Sequence, residues 1–233
     1  MISLSLRFAL VIVAFSPSAS AQGVFTKAIE QARRVADKES FGGELNFPDG
    51  VARFFDLGLN EITAAPAPVF QTTAGFVKWS DKMRSEGKSE PAFVLTAKLN
   101  QLLADALPQV AQSVRAGVVK LKLDSSTDFK ASPTALVDAL RKVVSPGLKD
   151  QLRAGVAQAG EMASLPAAFD AFIAASGAKI SDPKAALGLL VDQAVAQAID
   201  HVFLQLAKQE TAYRADPARA TDKTVAGVFN TLK

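Results

Sequence analysis

An apolar stripe with the period of an α-helix runs through residues 183–213. Its members recur at intervals of three and four residues, which places them along one face of a helix. The pattern therefore predicts a long amphipathic helix over these residues. The stripe consists of Leu187, Leu190, Ala194, Ala198, Val202, Leu206 and Ala207, and it is widened by Val195, Ile199 and Phe203.

Composition and capping patterns favour helices in the rest of the second half. Alanine, the strongest helix former, supplies 42 of the 233 residues. Four Ser-Pro or Asp-Pro pairs place a side-chain acceptor at an N-cap and proline at the first helical position. These pairs are Ser132-Pro133, Ser145-Pro146, Asp182-Pro183 and Asp216-Pro217. They predict helices over 133–144, 146–163, 183–213 and 217–231, with a shorter helix over 166–176.

Pro108 interrupts a helical period in the first half. Proline cannot lie inside a helix without a kink or a break, and we expect a break. No pair of segments has the signature of a β-hairpin. The sequence therefore predicts an all-α fold, a multi-helix bundle in one domain of roughly seven to nine helices with a less regular N-terminal part. The helices expected in this half cover 24–38, 49–62, 92–106 and 108–122.

The N-terminus has the order of features of a secretory signal peptide. Arg7 is followed by the apolar run Phe8–Phe15, a Ser-Pro break, and the small residues Ala19-Ser20-Ala21. The run is far shorter than the about 20 residues that span a bilayer. We expect cleavage after Ala21, export to the periplasm or exterior of a bacterium, and no transmembrane anchor afterwards. The residues that follow divide into N-terminal helices with a proline-containing linker (22–68), a possible inserted segment (69–91) and a helical core domain (92–233).

Composition excludes several kinds of site. The chain has no cysteine, which excludes disulfides, thiolate metal ligands and a cysteine nucleophile. Its one histidine, His201, excludes a multi-histidine metal site, and any Ser–His–Asp triad would have to include it. Lysine and arginine number 26 against 23 acidic residues without a basic cluster, which is no nucleic-acid footprint. We expect no cofactor, no metal site and no nucleic-acid partner.

The C-terminal part resembles the bacterial family called domain of unknown function 4197. The resemblance covers most of the chain after residue 21 and is specific over residues 198–229. It implies an exported, all-helical protein of a family without an assigned biochemical role, and it supplies no catalytic residues. The matching residues are Ala198-Ile199-Asp200-His201-Val202-Phe203, Glu210, Arg214, the run Asp216–Asp222 and Val228-Phe229, with Leu99–Leu103 and Pro108 upstream.

Charged residues cluster around the junction that precedes the last predicted helix. Glu210 and Arg214 have the favourable i, i+4 spacing, and Arg219 and Asp222 follow within two turns. One interpretation is a corner that binds an anion or a partner. The other is a structural lock, in which Asp216 caps the final helix and both arginines join helices through carboxylates. We favour the lock.

Two further residues are candidates for contacts. His201 lies on a polar strip with Gln193, Gln197 and Gln205, next to Asp200. This arrangement is either a base with carboxylate support or a solvated helix face, and we favour the solvated face. Trp79 lies among lysines and arginines, a patch that is either a solvated face, which we favour, or a contact with a membrane interface or a partner.

The 15 phenylalanines have two interpretations. They either fill a core, which we favour, or line a pocket between helices for an apolar envelope molecule. The first interpretation of function is accordingly a non-enzymatic binding or interaction protein of the cell envelope, whose partner is an apolar molecule or an envelope protein. The alternative is a carboxylate-dependent hydrolase or transferase, although the chain has no nucleophile elbow and no phosphate loop.

Overall fold

Helices form most of the chain in the computed structural model, which describes residues 47–123, 129–158 and 164–232. The described part contains eight α-helices and no strand, so the predicted all-α fold is confirmed. The signal peptide, the helix predicted over 24–38 and residues 159–163 lie outside the described residues. The helices are α1 (Phe47–Ala64), α2 (Ala74–Ser85), α3 (Glu90–Val118), α4 (Ala135–Val144), α5 (Leu148–Gln158), α6 (Leu165–Ser176), α7 (Pro183–Ala215) and α8 (Lys223–Thr231), with a 3₁₀ turn at Pro217–Arg219.

Helices α3 and α7 form the centre of the bundle. They pack against each other, and α1, α4, α5 and α6 each pack against both. The predicted start of α7 is confirmed, because the Asp182 carboxylate accepts a hydrogen bond from the Ala185 N–H at 2.9 Å. Its predicted stripe faces the core, where Ala194, Ala198 and Val202 are fully buried. This long helix therefore has the position that its apolar period requires.

By length and composition, α7 is also long and apolar enough to cross a membrane. The sequence predicted no such segment after the signal peptide. Core helices of soluble proteins pass the same test. The charged side chains of α7 contact neighbouring helices: Asp192 pairs with Lys149 at 3.4 Å and with Arg153 at 3.3 Å. These contacts are those of a helix within a bundle.

The break predicted at Pro108 is wrong, because α3 runs through it without interruption. Proline removes one backbone hydrogen bond and costs about 3 kcal/mol inside a helix. Leu103, Val110 and many other residues on both sides of Pro108 are buried in the core. Each buried aliphatic side chain contributes about 1.5–3 kcal/mol, so packing outweighs the local cost of the proline.

Three of the four predicted N-caps are wrong. α4 begins at Ala135 rather than at Pro133, and Ser145 ends α4 instead of capping α5. Asp216 caps only the 3₁₀ turn, while the last helix begins at Lys223. The cap of that helix is Asp222, whose Oδ1 accepts from the N–H groups of Thr224 (2.9 Å) and Val225 (3.2 Å). At these three pairs the helix starts after the proline, by two residues for α4 and α5 and by six residues for α8.

Phenylalanine fills the core, as the favoured interpretation predicts. Of the eleven described phenylalanines, nine are buried, so they supply much of the core volume. Phe54 on α1 contacts the ring of Phe229 on α8 edge to face, with 5.1 Å between ring centroids. Tyr213 of α7 joins the same cluster, at 5.6 Å from Phe229. Aromatic packing therefore connects the first and the last described helices.

Residues 65–73 lie outside the helices and connect α1 with α2, and we call this segment the strap. Its Phe70 side chain is buried, and its Phe70 N–H donates to the Asn100 side chain on α3 at 2.7 Å. The Ala74–Ser85 helix that follows packs against α6, where the rings of Phe76 and Phe172 stack at 4.8 Å. The segment 69–91 thus contains the end of the strap, all of α2 and the start of α3.

Candidate functional site

Glu210 and Arg214 form a buried clamp at the C-terminal half of α7. Glu210 is fully buried, and its carboxylate accepts the N–H groups of Leu136 at 3.0 Å and Val137 at 2.9 Å. These N–H groups belong to the first turn of α4, which has no capping hydrogen bond from its own N-cap residue, Thr134. A carboxylate from another helix therefore supplies the missing acceptor, where the helix dipole favours negative charge.

The arginine of the clamp extends the network to two other parts of the chain. Arg214 Nη2 lies 2.6 Å from Glu210 Oε1 and donates to the carbonyl of Phe129 at 2.8 Å. Its Nη1 donates to the carbonyl of Leu232 at 3.4 Å. Burial raises the pKa of the Glu210 carboxyl from its ordinary value, and hydrogen bonds from Val137, Arg214 and Leu136 oppose that rise. The clamp joins α7 to α4 and to the C-terminal end of α8.

Arg219 does not join two helices through a carboxylate as predicted, whereas Asp222 does contact another helix. Arg219 is exposed and forms no ion pair with any residue that the structure describes. Asp222 instead pairs with Arg53 of α1 at 2.8 Å. Partial burial works to raise the pKa of Asp222, but the Arg53 side chain and the two amides that it caps hold that pKa below its ordinary value. Glu210, Arg214, Asp222 and Arg53 thus join α1, α4, α7 and α8 around this junction, and we call these four residues the lock.

A groove of about 480 Å³ opens between the strap, α3, α4 and α7. Its lining is mainly apolar, and two of its apolar side chains reach solvent: Val69 is 65% exposed and Leu204 is 54% exposed. The apolar lining consists of Pro68, Val69, Leu103, Val137, Phe203, Leu204 and Ala207. The polar lining consists of Gln71, Asp138, Arg141, Gln197, Asp200 and His201.

The charged residues of the groove already have partners. Arg141 Nη2 lies 2.5 Å from Asp200 Oδ1, and its guanidinium lies over the Phe203 ring, 5.4 Å from the centroid. Asp138 accepts a hydrogen bond from the Thr134 hydroxyl at 2.8 Å. Both carboxylates that line the groove are thus held by neighbours within the protein.

His201 brings a titratable side chain to the groove. It is half-buried. Burial lowers the pKa of His201 below its ordinary value of 6.5, and the charge of Lys208 lowers it further. The imidazole is therefore mainly neutral at pH 7, with one nitrogen that donates and one that accepts a hydrogen bond.

The polar strip on α7 is not simply a solvated face, because two of its members hold the strap. The side-chain amides of Gln193 and Gln197 donate to the carbonyl of Gln71 at 2.7 and 2.8 Å. Gln197 Oε1 accepts the Gln71 N–H, also at 2.8 Å. The strap is thereby fixed along α7, where it forms one wall of the groove.

Trp79 lies apart from the groove lining. It is half-buried on α2, and the Lys82 ammonium lies 5.3 Å from the centroid of its ring. In the described part of the chain, no group of three or more histidine, cysteine or acidic side chains is arranged to hold a metal ion. The sequence candidates thus divide between the lock, the groove (His201) and α2 (Trp79).

Sequence reasoning missed the residues that complete both sites. Arg53 lies 169 residues from its partner Asp222, so no local spacing indicates the pair. Arg141 and Val69 reach the groove only because α4 and the strap fold against α7. The one available signal was the pair Pro66 and Pro68, since these prolines place the segment outside a helix interior.

A comparison with protein families matches residues 73–230 to the family described as "Protein of unknown function (DUF4197)". The chain belongs to this family. Within the DUF4197 match lie the buried clamp and the faces of α3, α4 and α7 that line the groove, whereas the groove residues of the strap precede it. No curated protein and no solved structure matched the chain in the corresponding comparisons.

Proposed function

We propose that this chain is an exported, non-enzymatic binding protein of the bacterial cell envelope, and that the groove is its ligand site. The order of charge, apolar run and small residues over 1–21 supports export. The groove volume of about 480 Å³ falls in the range of about 300–1,000 Å³ that is typical of small-molecule sites. The proposal assigns the groove an apolar or amphipathic ligand.

The observation that carries the proposal is the exposed apolar pair at the groove. Val69 and Leu204 lie on different elements, the strap and α7, and both line the same concave surface. A ligand that covers both side chains removes apolar surface from water, at about 25 cal/mol for each Å². The polar groups beside them are positioned to orient such a ligand rather than to react with it.

The arrangement of carboxylates supports binding over hydrolysis. A hydrolase that uses two carboxylates needs both of them directed at one reacting atom. Here Asp200 is bonded to Arg141, and Asp138 accepts from Thr134. The one fully buried carboxylate, among the residues described, is Glu210, which caps α4.

The test of the groove uses N-phenylnaphthylamine, an apolar dye that fluoresces when it leaves water. We expect the purified protein to bind it, and we expect Leu204→Glu to weaken that binding at least about tenfold, because a carboxylate then enters the apolar wall. Leu189→Glu is the matched control, since Leu189 is also an exposed leucine of α7 but does not line the groove. Equal binding by both variants would contradict the proposal.

Export has a separate test. The protein recovered from the periplasm of the expressing bacterium should begin at Gln22. If the protein is found only in the cytoplasm and begins at Met1, the export part of the proposal is contradicted. That result would not bear on the proposal that the groove binds a ligand.

A further inference from the structure

The single histidine of the chain lies in the groove. His201 lines it beside Phe203 and Leu204, is half-buried, and forms no hydrogen bond with any residue of the described ranges. Its ring nitrogens therefore depend on solvent for hydrogen bonds. A ligand that covers the groove removes part of that solvent, and this costs more for a charged ring than for a neutral one.

The charged groups that line the groove offer no free partner to a protonated His201. They are Asp138 and Arg141 on α4 and Asp200 on α7. Asp200 pairs with Arg141 at 2.5 Å, and Asp138 accepts a hydrogen bond from the Thr134 hydroxyl at 2.8 Å. A proton on the imidazole would thus add a positive charge to a lining whose carboxylates are already engaged.

The other elements at the groove bring no negative charge to its lining. Helix α3 contributes Leu103 alone, and the strap contains no charged residue. On α7 itself, Lys208 adds a positive charge that acts on His201. Burial and, to a smaller extent, Lys208 lower the pKa of His201. The surroundings of this side chain therefore already oppose its protonation, and an apolar ligand would bury the ring further.

Binding of an apolar ligand and protonation of His201 are consequently linked. A ligand that binds the neutral form more tightly than the protonated form lowers the pKa of the imidazole. The same free energy acts in the opposite direction, so a proton on His201 weakens the binding of that ligand. The affinity is complete above the pKa of His201 in the free protein, and it declines as the pH falls through that pKa.

On the basis of the proposed function, we propose that His201 is a pH sensor that couples ligand binding in the groove to the acidity of the surroundings. The neutral side chain allows an apolar ligand to cover it, and the protonated side chain weakens the binding of that ligand. The protein thus holds its ligand at neutral pH and releases it in mildly acidic surroundings. This regulation applies to any uncharged apolar ligand, so it does not depend on which one occupies the groove.

The experiment measures the Kd of N-phenylnaphthylamine, which carries no charge in this range, at pH 7.5 and at pH 5.0. We expect the Kd of the parent to be at least about threefold higher at pH 5.0. His201→Gln should remove most of that difference, because glutamine donates and accepts hydrogen bonds but does not titrate. Glu210 and the two lining carboxylates remain in this variant, so any pH dependence that they cause remains in it as well.

A second measurement observes the sensor directly. Protein without a histidine tag has one histidine, so a single Cε1–H signal in its proton NMR spectrum reports the pKa of His201. We expect saturating dye to lower that pKa. Melting curves at both pH values check that the parent and His201→Gln are folded, and the NMR titration of the parent decides the question if the variant is not.

The outcomes separate this inference from the proposed function. If the dye binds with the same Kd at both pH values, or if it leaves the pKa of His201 unchanged or raises it, the pH sensor is overturned and the groove remains a binding site. If a folded His201→Gln keeps the whole pH dependence, another group causes it and the inference is overturned. If the dye does not bind at pH 7.5, the proposed function fails and the inference fails with it.

Discussion

At the scale of single residues, the two arginines near the end of α7 have opposite surroundings. Arg214 is 10% exposed, and its partner Glu210 is fully buried. Arg219 is exposed. Removal of one member of a buried pair leaves an unpaired charge in the interior, which costs far more than the pair itself contributes. Burial, rather than charge or position in the sequence, therefore decides which arginine matters for stability.

We predict that Arg214→Ala lowers the free energy of unfolding by about 3–5 kcal/mol. The matched control, Arg219→Ala, should change it by no more than about 0.5 kcal/mol, because that side chain is exposed. Urea unfolding of both variants and the parent measures the difference. Similar losses in the two variants would show that the clamp does not carry the stability of this corner.

The ion pair between Arg53 and Asp222 predicts a dependence of stability on pH. The pKa of Asp222 is lower in the folded protein than in the unfolded chain. The folded state therefore binds fewer protons in this range, and the stabilisation is present above about pH 3.9 and lost as the pH falls through the folded pKa. The pair is half-exposed, so its contribution at pH 7 is about 0.2–1 kcal/mol.

Arg53→Met tests this dependence. At about pH 7 the variant should be less stable than the parent by that amount, and the difference should shrink as the pH falls through the folded pKa of Asp222. Urea unfolding at pH 7 and at a series of acidic pH values measures it. A difference of the same size at low pH would assign the effect to the packing of the Arg53 side chain instead of to its charge.

At the scale of helices, local sequence signals predicted where most helices lie. Where those predictions failed, contacts between helices determined the observed structure. The Asp182-Pro183 cap and the apolar period place the start of α7 correctly, because both act within a few residues. The continuity of α3 through Pro108 depends on helices that pack around it, which no local pattern contains. The pairing of Glu210 with Arg214 follows from their i, i+4 spacing, whereas the capping of α4 by Glu210 joins residues more than 70 positions apart.

The close approach of α1 and α8 gives a prediction at this scale. A Cβ atom on Gly50 would overlap Val228 Cγ2, and it would also lie 3.2 Å from the carbonyl oxygen of Thr224. Gly50→Ala should therefore force the two helices apart and destabilise the protein by about 1–3 kcal/mol.

Gly75→Ala is the control for this substitution, since Gly75 is also helical but the nearest atom to its added Cβ is 3.9 Å away. It should be neutral or stabilise the protein by up to about 1 kcal/mol, because alanine has the higher helix propensity. Thermal melting compares the two variants. If both raise the Tm, α1 and α8 are not in contact at Gly50.

At the scale of the whole molecule, the groove exists only where four parts of the fold meet. The strap, α3, α4 and α7 each contribute lining residues, so the composition of the site is a property of the assembled bundle. The sequence predicted an all-α bundle and offered a pocket between helices as one alternative. It could not place that pocket, because its walls come from residues between Pro68 and Ala207 that converge only on folding.

The single tryptophan gives a test of how far the bundle unfolds as one unit. Trp79 reports on α2, which packs mainly against α6, while far-ultraviolet circular dichroism reports on all helices together. The stacking of Phe76 on Phe172 and the full burial of Met83 connect α2 to the core that α3 and α7 share. We therefore predict that both signals change at the same urea concentration, as in a two-state transition.

Two urea transitions that do not coincide would contradict this prediction, and Phe76→Ala serves as its control. A tryptophan transition at lower urea would mean that α2 detaches before the rest of the helices unfold. Phe76→Ala should produce that separation, because it removes the ring that holds α2 on α6. Coincident curves for the parent and separated curves for Phe76→Ala would show that this aromatic contact holds α2 on the rest of the bundle.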